Sequence, residues 1–238
     1  MKKLLGFSIF LVFVLIASLT AEAKVTLPAI FSDNMVLQQN TQVNVWGKAA
    51  PGEKVTVKAS WLDKPVTAKA AANGKWTVKL KTPKATTNQS VTVSGENEIT
   101  INNVLIGEVW LCTGQSNMEF PVSRHPDVKW NTGMLNEAEE LKDADYPEIR
   151  LFHVKHQLAH EGELDDCEGE WLVCNPKNLY DFSAVGFVFG RKLYKELKMP
   201  VGLIQSTWGG THAESWTKLD VMKKNPLYAD VLKDFALE

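Results

Sequence analysis

Between residues 24 and 104 apolar and polar positions alternate in short stretches, at 43–46, 54–60, 75–80, 90–93 and 98–104. A period of two turns one face of each stretch toward a core, so each predicts a strand. Turn chemistry separates them at Ala50-Pro51-Gly52-Glu53, Ala72-Asn73-Gly74-Lys75 and Ser94-Gly95-Glu96-Asn97. No helical period intervenes, and the economical prediction for 24–104 is an all-β sandwich domain.

After Val104 the texture changes. An apolar run at 104–112 predicts a buried strand, and 149–152 is strand-like. At 183–197 Val185, Val188, Phe189, Leu193 and Leu197 recur at spacings of three or four, opposite Arg191, Lys192, Lys195 and Glu196. That pattern predicts an amphipathic helix, with Ser183 as its N-cap and Pro200 as its stop. A strand at 201–206, the loop Trp208-Gly209-Gly210-Thr211 and a further helix over 218–232 follow. Strand, helix and strand in this order predict a parallel α/β sheet over 105–238.

The first stretch stands apart from both regions. Lys2 and Lys3 precede an uncharged run at 4–19, and Ala21-Glu22-Ala23 supplies the small-x-small pattern that signal peptidase cuts after. Residues 1–23 are predicted to be a cleaved signal peptide, which places the protein in the periplasm or outside the cell with no membrane attachment after cleavage. Lys and Arg number 26 against 28 Asp and Glu. With no basic surplus, nothing recommends nucleic acid as a partner. Export makes the three cysteines candidates for oxidation. Cys167 and Cys174 form the plausible pair, seven residues apart in a loop-like segment, while Cys112 looks like a buried strand thiol.

Gly114-Gln115-Ser116-Asn117-Met118 follows one predicted strand and Gly209-Gly210-Thr211 follows the other. Both loops leave the carboxyl edge of the same sheet, where open α/β sheets place ligands. A serine nucleophile needs a base and backbone donors for its oxyanion, and Gly210, lacking a Cβ, can bring its N–H close to a ligand. On spacing alone, turn and capping roles for Ser116 and Gly210 remain open.

Longer blocks carry a resemblance. Phe31-Ser32-Asp33-Asn34-Met35-Val36-Leu37-Gln38, Val109-Trp110-Leu111-Cys112-Thr113-Gly114-Gln115-Ser116-Asn117-Met118-Glu119, Phe182-Ser183-Ala184-Val185-Gly186 and Gly202-Leu203-Ile204-Gln205-Ser206-Thr207-Trp208-Gly209-Gly210-Thr211 together resemble the sialate O-acetylesterase family of SGNH (GDSL-like) hydrolases. The resemblance implies an SGNH-hydrolase-like α/β domain, with Ser116 as nucleophile and with the Ser116 and Gly210 N–H groups as oxyanion donors. It also implies an O-acetylated carbohydrate as substrate and no metal or organic cofactor. Gln115, Asn117, Gly209 and His212 flank these positions as candidate substrate contacts, with an exposed loop position the alternative for His212.

Two departures from the family pattern matter. No Asp-x-x-His, the motif that carries the family's general base, occurs in the 238 residues, and the expected Gln-Gly-Glu block is missing. The expectation is therefore the N-terminal part of an esterase, with the α/β domain incomplete and the Asp-x-x-His segment elsewhere. The competing reading is a non-catalytic carbohydrate-binding or structural protein with a vestigial hydrolase domain. His153, His156 and His160 are unevenly placed for a metal site, and Asp165 and Asp166 lie in an acidic, solvated stretch. Trp46, Trp61 and Trp76 are expected mainly in the β core.

Overall fold

The computed structural model describes residues 24–126, 133–159 and 162–235, so the predicted signal segment and His160 lie outside the described residues. Strands β1 (Val36–Gln38), β2 (Gln42–Lys48), β3 (Lys54–Ala59), β4 (Val66–Lys69), β5 (Lys75–Lys81), β6 (Thr86–Ser94) and β7 (Glu98–Gly114) come first. Alternation does what a period of two requires. In β5, Trp76, Val78 and Leu80 point inward while the lysines between and beside them stay in water. β2 and β5 pair antiparallel into a ribbon, from Gln42 opposite Lys81 to Lys48 opposite Lys75. The ribbon's Val45, Trp76, Val78 and Leu80 close one buried cluster with Val55, Val57, Val91, Val93 and Ile101 of β3, β6 and β7.

The second half follows as α1 (Ser116–Glu119), α2 (Glu137–Lys142), β8 (Tyr146–His153), β9 (Trp171–Cys174), α3 (Pro176–Leu179), α4 (Ala184–Leu197) and β10 (Val201–Thr207). One mixed sheet runs in the order β4-β3-β6-β7-β10-β8-β9. The strands expected at 98–104 and 104–112 are one continuous strand, and the boundary expected at 104/105 falls inside it. β7 pairs antiparallel with β6 up to Ile106 and parallel with β10 from Glu108 onward. β1 lies parallel to β7 at Leu105–Gly107, just before β10 takes over. β8 is parallel to β10, and only β9 turns against them, so the α/β part is mixed rather than wholly parallel. A second core gathers Cys112, Ile149, Leu151, Leu179, Phe182, Phe187, Val201 and Leu203.

Helix α4 begins where predicted, with Ser183 Oγ accepting the Gly186 N–H at 3.0 Å, but it turns a different face inward. Val185, Val188, Phe189 and Leu197 are exposed and Leu193 of the expected stripe packs against the second core, whereas Ala184, Gly186, Phe187 and Gly190 are buried. Gly190 explains the choice: a Cβ there would lie 2.5 Å from Leu203 Cδ1, so the helix rests on β10 through its small residues. Trp110 of β7 meets Phe189 edge-to-face at 5.0 Å on the outer side. The helix expected over 218–232 is interrupted by Pro226, and the chain runs as Leu219–Lys223, a 3-10 turn at Pro226–Tyr228 and Ala229–Phe235.

The expected Cys167–Cys174 bridge is not formed. All three thiols are free, because the extended chain into β9 carries Cys174 into the second core while Cys167 packs against the first. Burial pushes the Cys174 thiol up to about 12. Asp165 is exposed as expected, yet it ties its loop to the ribbon through Lys75 at 2.5 Å and Lys48 at 3.2 Å, and those lysines hold its carboxyl below the usual range. No described helix is long and apolar enough to cross a membrane.

Candidate active site

Three parallel strands end at one edge of the sheet. Thr207, the last residue of β10, lies opposite Gly114 of β7, and Gln205 lies opposite His153, the last residue of β8. Segments leaving all three carboxyl ends meet there. Gly114 has φ of +146°, a conformation that L side chains rarely adopt, and it turns the chain from β7 into the short helix α1. The Trp208 N–H donates to Gly114 O at 3.1 Å, and Gln115 Nε2 donates to Thr211 O at 3.2 Å. The two predicted loops are therefore bonded to each other.

Gly209 sits against the serine. A Cβ on it would lie 3.1 Å from Ser116 Oγ and 2.6 Å from Glu119 Oε2, so any side chain here would displace the Glu119 carboxylate and crowd the serine. Gly210 follows with φ of +79° and open space around its Cα. Ser116 is exposed at the N-terminus of α1. Among the described residues, Ser116 Oγ and the backbone N–H groups of Ser116 and Gly210 take no protein partner.

Beside Ser116 lies a cleft of about 670 Å³, walled by Glu119, His125, His153, His156, Asp181 and Trp208, with Gln205 reaching it from below. His156 Nε2 lies 2.9 Å from Glu119 Oε1 and 2.8 Å from Thr207 O, and its ring stacks on Trp208 at 4.2 Å. Glu119 Oε2 accepts the Gly209 N–H. On the opposite wall His125 Nε2 meets Asp181 Oδ1 at 2.8 Å. Burial, reinforced by the neighbouring His156, holds the His153 imidazole below its ordinary value. The floor is a buried polar chain: Gln205 Oε1 accepts the Ser183 N–H at 2.7 Å, and Gln205 Nε2 donates to Thr207 Oγ1 at 3.0 Å.

Of the residues singled out from the sequence, Ser116 and Gly209 line the cleft and Gly210 adjoins it. Asn117 lies exposed on α1. His212 caps a 3-10 turn at Ala213–Trp216, exposed and outside the cleft lining. Glu119, His125, His153, His156, Asp181 and Trp208 escaped the sequence reading as site residues. Glu119 stood within the serine block, and three residues after Ser116 is one helical turn, which was a usable signal. The histidines gave none: His153 and His156 lie at and just past the end of a strand whose place beside β10 only the sheet reveals, and His125 reaches the cleft from the segment after α1. No group of three or more described His, Cys, Asp or Glu side chains is arranged to hold a metal ion.

The sequence profile of a family described as carbohydrate esterase, sialic acid-specific acetylesterase matches residues 106–237. The mouse (Mus musculus) sialate O-acetylesterase is 34% identical over 215 residues, covering 82% of this chain and 38% of the mouse protein. The human (Homo sapiens) sialate O-acetylesterase is 33% identical over 205 residues, covering 78% of this chain and 37% of the human one. A crystal structure of a carbohydrate acetylesterase from Xanthomonas citri superposes with a TM-score of 0.74 at 31% identity, covering 84% of this chain and 44% of that one. The chain thus spans less than two-fifths of the length of the curated relatives it matches.

Proposed function

The chain belongs to the sialic acid-specific acetylesterase family of carbohydrate esterases, and from that premise we propose that it is an exported serine esterase acting on O-acetylated carbohydrate, sialic acid or a related sugar. Ser116 Oγ attacks the acetyl carbonyl, forming an acyl-enzyme and releasing the sugar hydroxyl, and water then frees acetate. The oxyanion of each tetrahedral intermediate is held by the N–H groups of Ser116 and Gly210. The observation that carries this reading is the approach of Gly209 to Ser116 Oγ at the carboxyl edge, with the next residue's N–H unpartnered among the described residues. The proton acceptor is the histidine of an Asp-x-x-His motif supplied from outside these 238 residues. Gln115, which bridges the two loops, and Asn117 and Gly209 are the nearest candidates for contacts to the sugar. No metal or organic cofactor enters the chemistry.

We further read 24–104 as a small β-sandwich module, its two layers being the β2–β5 ribbon and the sheet beneath it, and 105–238 as the first part of the esterase domain. Residues 1–23 are its export signal, and the site of action is periplasmic or extracellular.

The test is acetate release from aryl acetates and O-acetylated sugars by this chain with and without a co-expressed Asp-x-x-His segment. Slow release that rises when the segment is supplied, and that vanishes in Ser116→Ala, is the expected result. No release in either form favours a carbohydrate-binding protein with a vestigial hydrolase domain.

A further inference from the structure

Glu119 and His156 have no part in the chemistry just described, yet they occupy the junction of the three segments that build the cleft. Glu119 is the last residue of the helix that begins with Ser116. One of its carboxylate oxygens accepts the Gly209 N–H, and the other lies 2.9 Å from His156 Nε2. The same His156 nitrogen lies 2.8 Å from Thr207 O, the carbonyl that ends β10. A nitrogen facing two acceptors must carry a hydrogen, so His156 donates from Nε2 to both. Its ring lies flat on Trp208, the residue between Thr207 and Gly209, at 4.2 Å and 4°. Three contacts therefore converge on residues 207–209 from one carboxylate and one imidazole, which are joined to each other by a fourth.

We propose that Glu119 and His156 are positioning residues that clamp the Trp208-Gly209-Gly210 turn against Ser116 and so aim the Gly210 N–H at the developing oxyanion. The inference rests on the nucleophile and oxyanion roles proposed above for Ser116 and Gly210. Its physical content is preorganisation. A glycine pair has more backbone freedom than any other dipeptide, and Gly210 has nothing within 4 Å of its would-be Cβ to restrain it. Left to itself such a turn samples orientations in which its N–H groups miss the oxyanion. A charge-assisted hydrogen bond from the preceding N–H, with an aromatic stack on the residue before that, removes this freedom. Glu119 can act as the anchor because it shares a single helical turn with Ser116, so the clamp and the nucleophile move together.

The side chains and charges around the pair belong to separate elements: His153 at the end of β8, and Asp181 and His125 across the cleft. The clamp's failure is therefore separable from a general loss of the cleft. Two variants probe it. Glu119→Gln keeps an acceptor for Gly209 but presents an amide NH2 to a nitrogen that is itself a donor. His156→Phe keeps the stack on Trp208 and removes the donor.

The experiment measures the rate and saturation of Ser116 modification by an alkyl fluorophosphonate, together with the amide shifts of Gly209 and Gly210 in selectively glycine-labelled protein. The clamp predicts a limiting rate lower by on the order of 10- to 100-fold in both variants, since small misplacements of reacting groups cost up to about 10²-fold. It also predicts half-saturation within about twofold of the wild type, an unchanged melting temperature, and an upfield move of the Gly209 amide as its bond to carboxylate weakens. A Gly209 amide that stays in place in both variants, or a limiting rate within twofold of wild type, overturns the clamp. Labelling that survives Ser116→Ala overturns the nucleophile assignment instead, and the Gly209 amide then decides the clamp by itself.

Discussion

The core beneath the β2–β5 ribbon and the cleft at the end of β7, β8 and β10 use the chain in opposite ways. In the ribbon, each strand repeats one instruction, inward then outward, and each inward residue finds apolar neighbours. In the cleft, almost every residue is unlike its sequence neighbours, and partners lie far apart along the chain: Glu119 meets Gly209 across 90 positions and His156 meets Thr207 across 51. The first region stores stability in buried area. The second holds exposed hydroxyl, unpaired N–H groups and a glycine pair in a set geometry, which adds little stability by itself.

That contrast predicts that stability and reactivity separate by region. Ser116→Ala shows the largest effect on reactivity. Acetate release and phosphonate labelling are expected to fall to background, while the melting curve is unmoved because the residue is exposed and its Oγ bonds to no described group. Trp76→Ala is the converse. It empties a side chain that is 2% exposed in the ribbon core and is expected to cost about 3–5 kcal/mol in denaturant titration. The labelling rate of the fraction still folded should not change. Trp76→Phe costs far less, since the Trp76 Nε1 N–H is buried with no partner among the described residues and its removal is no loss.

An acid titration sharpens the comparison within the second core. Glu140, buried on α2, meets Arg191 of α4, and that guanidinium holds its carboxyl below the usual range. A carboxylate with a depressed folded-state pKa contributes stability above its unfolded value, about 4.3, and loses it as the pH falls through the folded one. Glu140→Gln is therefore expected to destabilise by roughly 1.5–3 kcal/mol near neutrality, with the gap to wild type closing on acidification below that value. Unfolding midpoints measured across the acid range check the sign; a gap that widens there contradicts it.

A modest stability effect is expected at the glycine pair of the cleft. Gly210→Ala places a Cβ in open space, so its cost is only the left-handed backbone at φ of +79°, about 1–2 kcal/mol. Its effect on labelling by phosphonate should be proportionally larger than its effect on stability, because relaxing that strain turns the N–H that faces the oxyanion. Equal proportional effects on both would erase the distinction between the regions.

Local pattern by itself determined β2, β3, β5, β6 and the first part of β7, the Ser183 cap of α4, and the two glycine-bearing loops that leave one sheet edge, but not the short strands β1 and β4. These are properties of a few consecutive residues, where alternation, turn chemistry or a cap leaves one good solution. The blocks around Ser116 and Gly210 also carried the family resemblance. The tertiary structure decided what depends on close approach between distant segments. The apolar stripe Val185, Val188, Phe189 and Leu197 looked like the buried face of α4, but Gly190 and Ala184 allow a closer seat on Leu203, and closeness prevailed over hydrophobicity. Cys167 and Cys174 looked paired until β9 carried them to different cores. His153 and His156 became cleft residues only because β8 lies beside β10, a register fixed by side chains dozens of residues away and therefore invisible in any local window.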